Sequence, residues 1–222
     1  AKAVTPHGAV AAVCVWPRFV ATAKQALGDA PVKVAAVANF PHGALNIGGA
    51  LADVDDILDA GGDEVDLVFP YNSWVQGKEA QAFELVKVVR EHCGDQAGVK
   101  VIMETGCLRQ AAEITRVSEA LLDLDLAFLK TSTGKVSVNA TIPAARAMLR
   151  AIKASGKATG FKAAGGIRTA GEAAEFMDLA DKIMGPDWIS PATFRFGASS
   201  LLASLLETLG HDTNQDNSGG YY

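Results

Sequence analysis

Positive charge is scarce in this sequence of 222 residues, in which 20 Lys and Arg residues stand against 25 Asp and Glu residues. The resulting net charge of -5 leaves no basic surface of the kind that holds a nucleic-acid backbone, which argues against a nucleic-acid partner. Any anionic ligand must therefore be held by a small number of local groups.

Long apolar runs and a signal peptide are absent too. No run reaches the roughly 18 to 20 residues that cross a membrane, and the N-terminus lacks the charged, apolar and small-residue pattern of a secreted protein. We therefore expect a cytoplasmic protein without a membrane partner. The chain begins at Ala1 without Met, which suggests that something preceded it.

Cysteine and histidine are few. The three cysteines, Cys14, Cys93 and Cys107, are odd in number and widely spaced, which predicts free thiols rather than disulfides. The four histidines form no H-x-x-x-H pair and the cysteines form no C-x-x-C pair, so the sequence gives little support to a metal site.

Short apolar runs alternate with longer helical patterns along the whole chain, which predicts βα units and a parallel sheet covered on both faces. The predicted strands are 10–16, 32–38, 64–69, 99–104, 126–130, 159–163 and 193–197. The predicted helices are 19–27, 45–60, 77–92, 110–122, 142–154, 170–183 and 199–209. No linker interrupts this alternation, so we expect one catalytic domain over 4–210, followed by a mobile polar tail over 211–222.

Two architectures fit repeated βα units, namely an open doubly wound sheet and a closed barrel. The dinucleotide-binding pattern G-x-G-x-x-G is absent after the first strand, which favours a TIM (β/α)8 barrel. Such a barrel has eight strands, whereas only seven βα units are readable here. We therefore expect the first βα unit of the barrel to be missing from this chain, and its two edge strands to be unpaired.

Charged residues lie at the ends of several predicted strands, where barrel enzymes place their chemistry. Strand alternation turns Lys130, Lys162, Asp66 and Glu104 toward the inner face of the sheet. For any one of them alone, a core ion pair or a lysine extending past the rim is an equally good explanation.

Two inward lysines with an inward aspartate are harder to explain as structure alone. Two ammonium groups about 5 Å apart repel by about 3 kcal/mol at an effective dielectric near 20, which lowers the pKa of one lysine. A lysine that is partly neutral is a nucleophile for carbonyls, and a carboxylate beside it can move protons. Lys130, Lys162 and Asp66 therefore predict Schiff-base chemistry.

Glycine and hydroxyl residues follow the same strand ends, at 131–135, 165–168 and 197–200. Free backbone N–H groups and a helix N-terminus bind phosphate well, and Lys135 and Arg168 lie in these loops. We therefore predict a phosphate site, although turn and helix-capping chemistry would use the same residues.

Four segments closely resemble deoxyribose-phosphate aldolase: DEVDLVFPY at 63–71, FLKTSTGK at 128–135, GFKAAGGIR at 160–168 and RFGASSLL at 195–202. A shorter segment, NFPHG at 39–43, is similar too. The resemblance extends from about residue 5 to the C-terminus. It implies a class I aldolase that needs no metal or other cofactor and reversibly cleaves 2-deoxy-D-ribose 5-phosphate to glyceraldehyde 3-phosphate and acetaldehyde.

The resemblance also implies a role for each matching residue. Lys130 would form the Schiff base, Lys162 would lower the pKa of Lys130, Asp66 would relay protons, and Tyr222 would assist from the tail. Cys14 would lie near the pocket, as Glu104 is expected to do. The residues implied in phosphate binding are Gly134, Lys135, Gly165, Gly166, Ile167, Arg168, Gly197, Ser199 and Ser200. The partners would be the phosphosugar and acetaldehyde, and a homo-oligomer stays an open alternative.

The sequence departs from the family pattern at two places. Ala163 stands where many relatives have proline, and the first βα unit of the family, which carries an Asp-Leu-Thr segment, has no counterpart. Two alternatives therefore stay open. The chain is another phosphosugar aldolase or isomerase, or it is a truncated barrel that binds phosphosugars with impaired catalysis.

Overall fold

The computed structural model describes residues 4–210, and its centre is one sheet of seven parallel strands in chain order. These strands are β3 (Ala12–Val15), β4 (Lys33–Ala38), β5 (Glu64–Val68), β6 (Gly98–Ile102), β7 (Phe128–Lys130), β8 (Gly160–Ala164) and β9 (Phe194–Gly197). A small antiparallel hairpin of β1 (Val4–Thr5) and β2 (Gly8–Ala9) precedes them. This confirms a barrel-type α/β fold with seven readable units.

The sheet is strongly curled. Arg195 on β9 contacts Glu64 on β5 at 3.0 Å, although four strand spacings of about 4.8 Å would hold these strands about 19 Å apart in a flat sheet. Within residues 4–210, β3 and β9 are each paired on one side only, so the curled sheet is not closed by an eighth strand there.

Helices connect successive strands and cover the outer face of the sheet. They are α1 (Val20–Leu27), α2 (Ile47–Asp59), α3 (Tyr71–Val75), α4 (Glu79–Cys93), α5 (Thr105–Leu108), α6 (Ala111–Leu122), α7 (Ile142–Ser155), α8 (Ala170–Met184) and α9 (Leu201–Thr208), with a short 3-10 helix at Pro17–Phe19. No helix in the part of the chain that the structure describes is both long enough and apolar enough to cross a membrane.

The main hydrophobic core lies between the outer face of the sheet and the helices that cover it. Leu67, Val101, Leu129, Phe161 and Phe194 are successive cross-strand partners, and all five are buried under the helices. Full burial of such a side chain contributes roughly 1.5 to 3 kcal/mol. This row fixes the register of the sheet, and it thereby determines which residues face the other way, into the curl.

Side-chain caps define where several of the long helices start. The Asn46 side chain accepts the Gly49 amide at the start of α2, and Thr141 accepts the Ala144 amide at the start of α7. At α8, Thr169 and Glu172 form a reciprocal capping box. These caps satisfy backbone donors that would otherwise lack partners, and they thereby stabilise the starts of these helices.

Two one-turn helices, α3 and α5, were not predicted, because five and four residues are too short for helical periodicity to appear. The predicted strand 10–16 is shorter in the structure, since apolar residues continue into the flanking loops. The predicted tail, 211–222 with Tyr222, lies outside the described residues, and the one-domain boundary at 4–210 stays a prediction.

Candidate active site

Strand register brings the inward lysines together. Lys130 at the end of β7 is the cross-strand partner of Lys162 in β8, and Asp66 in β5 is the partner of Lys100 in β6. Cross-strand partners point to the same face of a sheet, and successive residues of a strand alternate between faces. All four side chains therefore lie on the inner, concave face.

The Asp66 carboxylate is fully buried and binds three ammonium groups. Its Oδ2 accepts hydrogen bonds from Lys130 Nζ at 2.6 Å and from Lys162 Nζ at 2.8 Å. Its Oδ1 accepts one from Lys100 Nζ at 2.7 Å. Two lysines thus share a single carboxylate oxygen, and neither has that oxygen to itself.

A second buried carboxylate, Glu64, lies below this group. Lys100 Nζ is 2.7 Å from Glu64 Oε2, the Arg195 guanidinium is 3.0 Å from both carboxylate oxygens, and Lys33 Nζ is 3.5 Å from Oε1. The sequence-based prediction did not include Glu64 or the cations around it. Alternation could have found it, because Glu64 stands two residues before Asp66 in the same strand.

Burial and charge shift the pKa values of the two lysines in opposite directions. Burial lowers the pKa of Lys130, Asp66 opposes that effect, and repulsion from Lys162 adds to the lowering, so the pKa lies below the ordinary value of 10.5. Burial also acts to lower the pKa of Lys162, but Asp66, Cys14 and Glu64 together outweigh burial and the pKa is raised. Lys130 therefore loses its proton more readily than an ordinary lysine. Burial lowers its pKa more than the repulsion from Lys162 does, although the sequence predicted only the repulsion.

Asp66 remains ionised in this setting. Burial acts to raise its pKa, but Lys100, Lys130 and Lys162 together outweigh burial and hold the pKa well below its usual value. A carboxylate that stays charged can accept a proton only transiently, which suits a group that passes protons between neighbours.

Cys14 on β3 faces the same site, with its sulfur 3.8 Å from Asp66 Oδ2. Cys14 is exposed along the free edge of β3, whereas most cysteines without a disulfide are buried in a protein core. The sulfur itself lies against the packed inner face, where desolvation, followed by the Asp66 charge, raises the pKa of the thiol.

Glu104 is fully buried just after β6, as its inward position predicts, but its side-chain hydrogen bonds within the described residues are with Thr133 and not with a lysine. Burial raises the pKa of Glu104, against the opposing effect of the Thr133 hydrogen bonds. Glu104 therefore belongs to the loop after β7 rather than to the carboxylate group around Asp66.

The predicted phosphate residues occupy three neighbouring strand-to-helix loops. Gly134, Gly165 and Gly166 have φ angles of 81°, 82° and 86°, which side-chain-bearing residues rarely adopt. The Gly165 amide donates to the Gly197 carbonyl at 3.3 Å, which joins two of the loops. Gly197 also has to be small, because a Cβ there would lie 2.9 Å from Ala164 Cβ and 3.2 Å from Lys162 Cε.

Several backbone donors in these loops are available. Within residues 4–210, the amides of Gly166, Ile167, Ser199 and Ser200 donate to no protein acceptor. Ile167 itself is buried, whereas Ser199 and Ser200 are exposed at the start of α9. Unpaired amides beside a helix N-terminus are ready anion ligands.

The two cationic candidates can contribute only their side chains. The Lys135 amide already donates to Thr133 Oγ1 at 3.0 Å, and the Arg168 amide donates to Glu172 at 2.7 Å. Both side chains are exposed, and neither forms an ion pair with another described residue. The Lys135 charge is therefore available to a ligand, and among the described residues the Arg168 charge acts only on nearby Glu172.

The residues that the structure describes contain no cluster of three or more His, Cys, Asp or Glu side chains able to hold a metal ion. The charge of the site is instead carried by ammonium and guanidinium groups around two carboxylates.

The curled parallel barrel sheet and its buried, inward lysines are those of a barrel aldolase, a lyase that breaks and forms carbon–carbon bonds. The chain belongs to the DeoC/LacD aldolase family, whose family model matches residues 1–207.

Solved structures agree with this membership. An apo-form structure from Toxoplasma gondii ME49, assigned as a deoxyribose-phosphate aldolase, is 27% identical, covers 95% of this chain and 86% of its own, and has a TM-score of 0.84. A second structure from the same organism is 26% identical over 96% of this chain and 86% of its own, with a TM-score of 0.83. A structure from Coccidioides immitis with the same assignment is 27% identical over 90% of this chain and 73% of its own, with a TM-score of 0.78.

Proposed function

We propose that this aldolase reversibly cleaves 2-deoxy-D-ribose 5-phosphate to glyceraldehyde 3-phosphate and acetaldehyde, through an imine on Lys130. The assignment of the similar structures supports this substrate. The observation that carries the mechanism is the Asp66 Oδ2 atom shared by Lys130 at 2.6 Å and Lys162 at 2.8 Å. An amine that is buried beside a second cation loses its proton more easily than a free lysine does.

Lys130 is the nucleophile and Lys162 stays protonated. The lowered pKa of Lys130, caused first by burial, increases the fraction of neutral amine. The raised pKa of Lys162, where Asp66 and its neighbours together outweigh burial, keeps a positive charge next to the reacting carbon. Asp66 accepts and returns the protons that the reaction moves.

The reaction balances with these groups and water alone. Lys130 Nζ adds to C1 of the open-chain sugar, and water leaves to give a protonated imine. The C3 hydroxyl loses its proton, the C2–C3 bond breaks, and its electron pair forms an enamine, which releases glyceraldehyde 3-phosphate. The enamine carbon takes up a proton, and water then hydrolyses the imine to acetaldehyde and free Lys130. The imine nitrogen accepts the electron pair, so the proposal includes no cofactor.

The phosphate is bound by amides and cations of the three loops. We assign it to the free amides of Gly166, Ile167, Ser199 and Ser200, which neighbour the Lys162 strand. The remaining candidates are Gly134, Gly165 and Gly197, which shape the loops, and Lys135 and Arg168, which supply charge. Tyr222 lies outside the described residues and stays a predicted assistant. A cytoplasmic location and a homo-oligomer stay expectations.

Borohydride trapping tests the mechanism. The protein is incubated with acetaldehyde or with 2-deoxyribose 5-phosphate, reduced, digested and mapped by mass spectrometry. We expect an alkyl adduct on Lys130, and no adduct on the Lys130→Met variant treated in the same way. Absence of an adduct, or an adduct confined to another lysine, would falsify the proposal.

A binding protein with impaired catalysis is the second candidate, and the unpaired outer sides of β3 and β9 favour it. Calorimetry with 2-deoxyribose 5-phosphate separates the two, since binding without turnover would support impaired catalysis. Comparison of turnover on other sugar phosphates tests the remaining alternative, a different phosphosugar aldolase or isomerase.

A further inference from the structure

Glu104 is a buried carboxylate that the proposed mechanism does not use. It lies between β6 and α5 with φ 54° and ψ 58°, in the left-handed region that side-chain-bearing residues seldom occupy. Its side chain has no exposed surface. A strained backbone and a buried charge are both unfavourable unless the surroundings hold them in place, so the contacts of Glu104 need an explanation.

Both oxygens of Glu104 are directed at one residue of the next loop. The Thr133 amide donates to Oε1 at 3.2 Å and to Oε2 at 3.4 Å, and the Thr133 hydroxyl donates to Oε2 at 2.5 Å. The same hydroxyl oxygen accepts the Lys135 amide at 3.0 Å. Because a hydroxyl has one proton to donate, this chain of hydrogen bonds has a fixed direction, from Lys135 through Thr133 to Glu104.

The other end of this loop is fastened to β8. Thr131 Oγ1 donates to the Ala164 carbonyl at 3.1 Å and accepts the Ala164 amide at 3.0 Å. Gly134 follows Thr133 directly, and its φ of 81° makes the turn before Lys135. The loop is therefore attached to Ala164 on β8 through Thr131 and to Glu104 through Thr133. The attachment to Glu104 is the one next to Gly134 and Lys135.

We propose that Glu104 is a positioning residue that holds Gly134 and Lys135 in place to bind the substrate phosphate, and that it takes no part in proton transfer. This inference rests on the proposed function, because it concerns the phosphate of that substrate. Its side-chain hydrogen bonds support it, since within residues 4–210 all of them end on Thr133, and Lys130 acts on Glu104 only through its charge.

Glutamine at this position cannot reproduce the network. If its amide nitrogen faces the Thr133 hydroxyl, the hydroxyl proton loses its acceptor. If its oxygen faces the hydroxyl, the amide nitrogen meets the Thr133 N–H as an opposing donor, and that N–H keeps only the longer, 3.4 Å contact. The charge effect has the opposite sign, because removal of a negative charge near the loop favours anion binding. Weaker phosphate binding in Glu104→Gln therefore reports lost positioning.

The experiment compares 2-deoxyribose 5-phosphate with unphosphorylated 2-deoxyribose. For Glu104→Gln we expect KM for the phosphorylated sugar to rise about tenfold, as for a lost hydrogen bond to a charged group. We expect kcat/KM for the unphosphorylated sugar to stay within about twofold, and inorganic phosphate to become a weaker competitive inhibitor by a similar factor as the KM change. Deuterium exchange into the methyl group of acetaldehyde, which needs the imine but no phosphate, should be unchanged.

Three further variants complete the design. Thr133→Val removes the hydroxyl and should behave like Glu104→Gln, whereas Thr133→Ser keeps it and should restore KM. They also keep the test open if Glu104→Gln does not fold. Asp53→Asn is the matched control, because the Asp53 carboxylate accepts the Asn39 amide at 2.8 Å and so holds a different loop, after β4. Its KM should not change.

Two outcomes would overturn the inference. Equal losses on both sugars, or slower deuterium exchange, would place Glu104 in the chemistry, and an unchanged or lower KM would remove it from phosphate binding. Failure of the proposed function is distinguishable, since the wild-type protein would then give no Lys130 adduct and turn over neither sugar.

Discussion

Asp66 and Glu64 are buried carboxylates two residues apart on β5, and both bind Lys100, yet their other partners differ. We call Asp66 with Lys130 and Lys162 the upper cluster, and Glu64 with Arg195 and Lys33 the lower cluster. In the upper cluster two lysines share one carboxylate oxygen. In the lower cluster the Arg195 guanidinium contacts both oxygens of Glu64 and lies 4.7 Å from the centre of the Phe128 ring.

The difference teaches what makes a buried ion pair reactive. A guanidinium stays charged at every accessible pH and bonds a carboxylate through fixed donors, so the buried Arg195–Glu64 pair can hold the strands together but cannot supply a nucleophile. An ammonium can lose its proton, and crowding two of them on one oxygen favours that loss. The identity of the cations, rather than burial alone, therefore separates the reactive cluster from the structural one.

The comparison breaks if the upper cluster is only structural, and Lys130→Met tests this with the largest expected effect. Loss of the nucleophile should reduce kcat on 2-deoxyribose 5-phosphate by roughly ten-thousandfold or more, as for other covalent catalytic residues. Steady-state kinetics with a coupled assay measures it. Thermal unfolding should change little, since Asp66 keeps Lys100 and Lys162. A kcat within tenfold of wild type would contradict the assignment.

Glu64→Gln should have the opposite profile, with a loss of stability and intact chemistry. Removal of one partner from a buried pair costs about 3 kcal/mol, because Arg195 loses its charge partner and Lys100 loses one of its two. Urea unfolding at neutral pH measures this loss, and kcat at low temperature should stay within about threefold of wild type.

The pH dependence of this loss has a definite sign. Burial acts to raise the pKa of Glu64, but Lys100 and then Arg195 outweigh it and lower the pKa below 4.5. The stabilisation by Glu64 is therefore complete above 4.5 and is lost as pH falls through the lowered pKa. The stability difference between wild type and Glu64→Gln should shrink in acid, and a difference that grows there would contradict this account.

Lys162→Met sharpens the comparison inside the upper cluster. Without the neighbouring positive charge, and with Asp66 Oδ2 left to Lys130, the pKa of Lys130 should rise. The rising limb of kcat/KM against pH should then move to higher pH. At neutral pH, kcat/KM should fall about tenfold for each pH unit by which the limb moves. Lys162→Arg keeps the charge and is the control. A limb that stays in place for Lys162→Met would show that burial alone sets the pKa.

Lys33→Met should give the smallest effect. Lys33 is 59% exposed and 3.5 Å from Glu64, so solvent screens the pair and unfolding free energy should change by less than about 0.5 kcal/mol. Activity should be unchanged. A loss as large as that of Glu64→Gln would show that the lower cluster depends on its outer cation as much as on Arg195.

The sequence was sufficient for the order of the strands and for the face on which Lys130, Lys162 and Asp66 lie, because parallel strands repeat with a period of two and apolar runs mark their positions. The same period contained Glu64 and Lys100, which were overlooked. It could not give the sharing of one Asp66 oxygen, because that depends on the curl of the sheet.

The partner of Glu104 was beyond the sequence for a different reason. Thr133 stands in an irregular loop, where no periodicity tells which way a hydroxyl points. The lowered pKa of Lys130 was predicted, but the raised pKa of Lys162 was not, since the groups that raise it lie on other strands. The two lysines are equally buried, and the charges around them distinguish them: Lys162 lowers the pKa of Lys130, whereas Glu64 adds to the raising of the pKa of Lys162.

The direct pairing of Lys130 with Lys162 in neighbouring strands has a consequence for protein engineering. Strands in a sheet are spaced about 4.8 Å apart, so the backbone acts as a ruler that sets the separation of the two amines before any side chain is chosen. A designer could carry the arrangement to another curled parallel sheet by placing two lysines in register and an aspartate two strands away. The portable unit is a spacing rule, and the surrounding sequence could be rewritten around it.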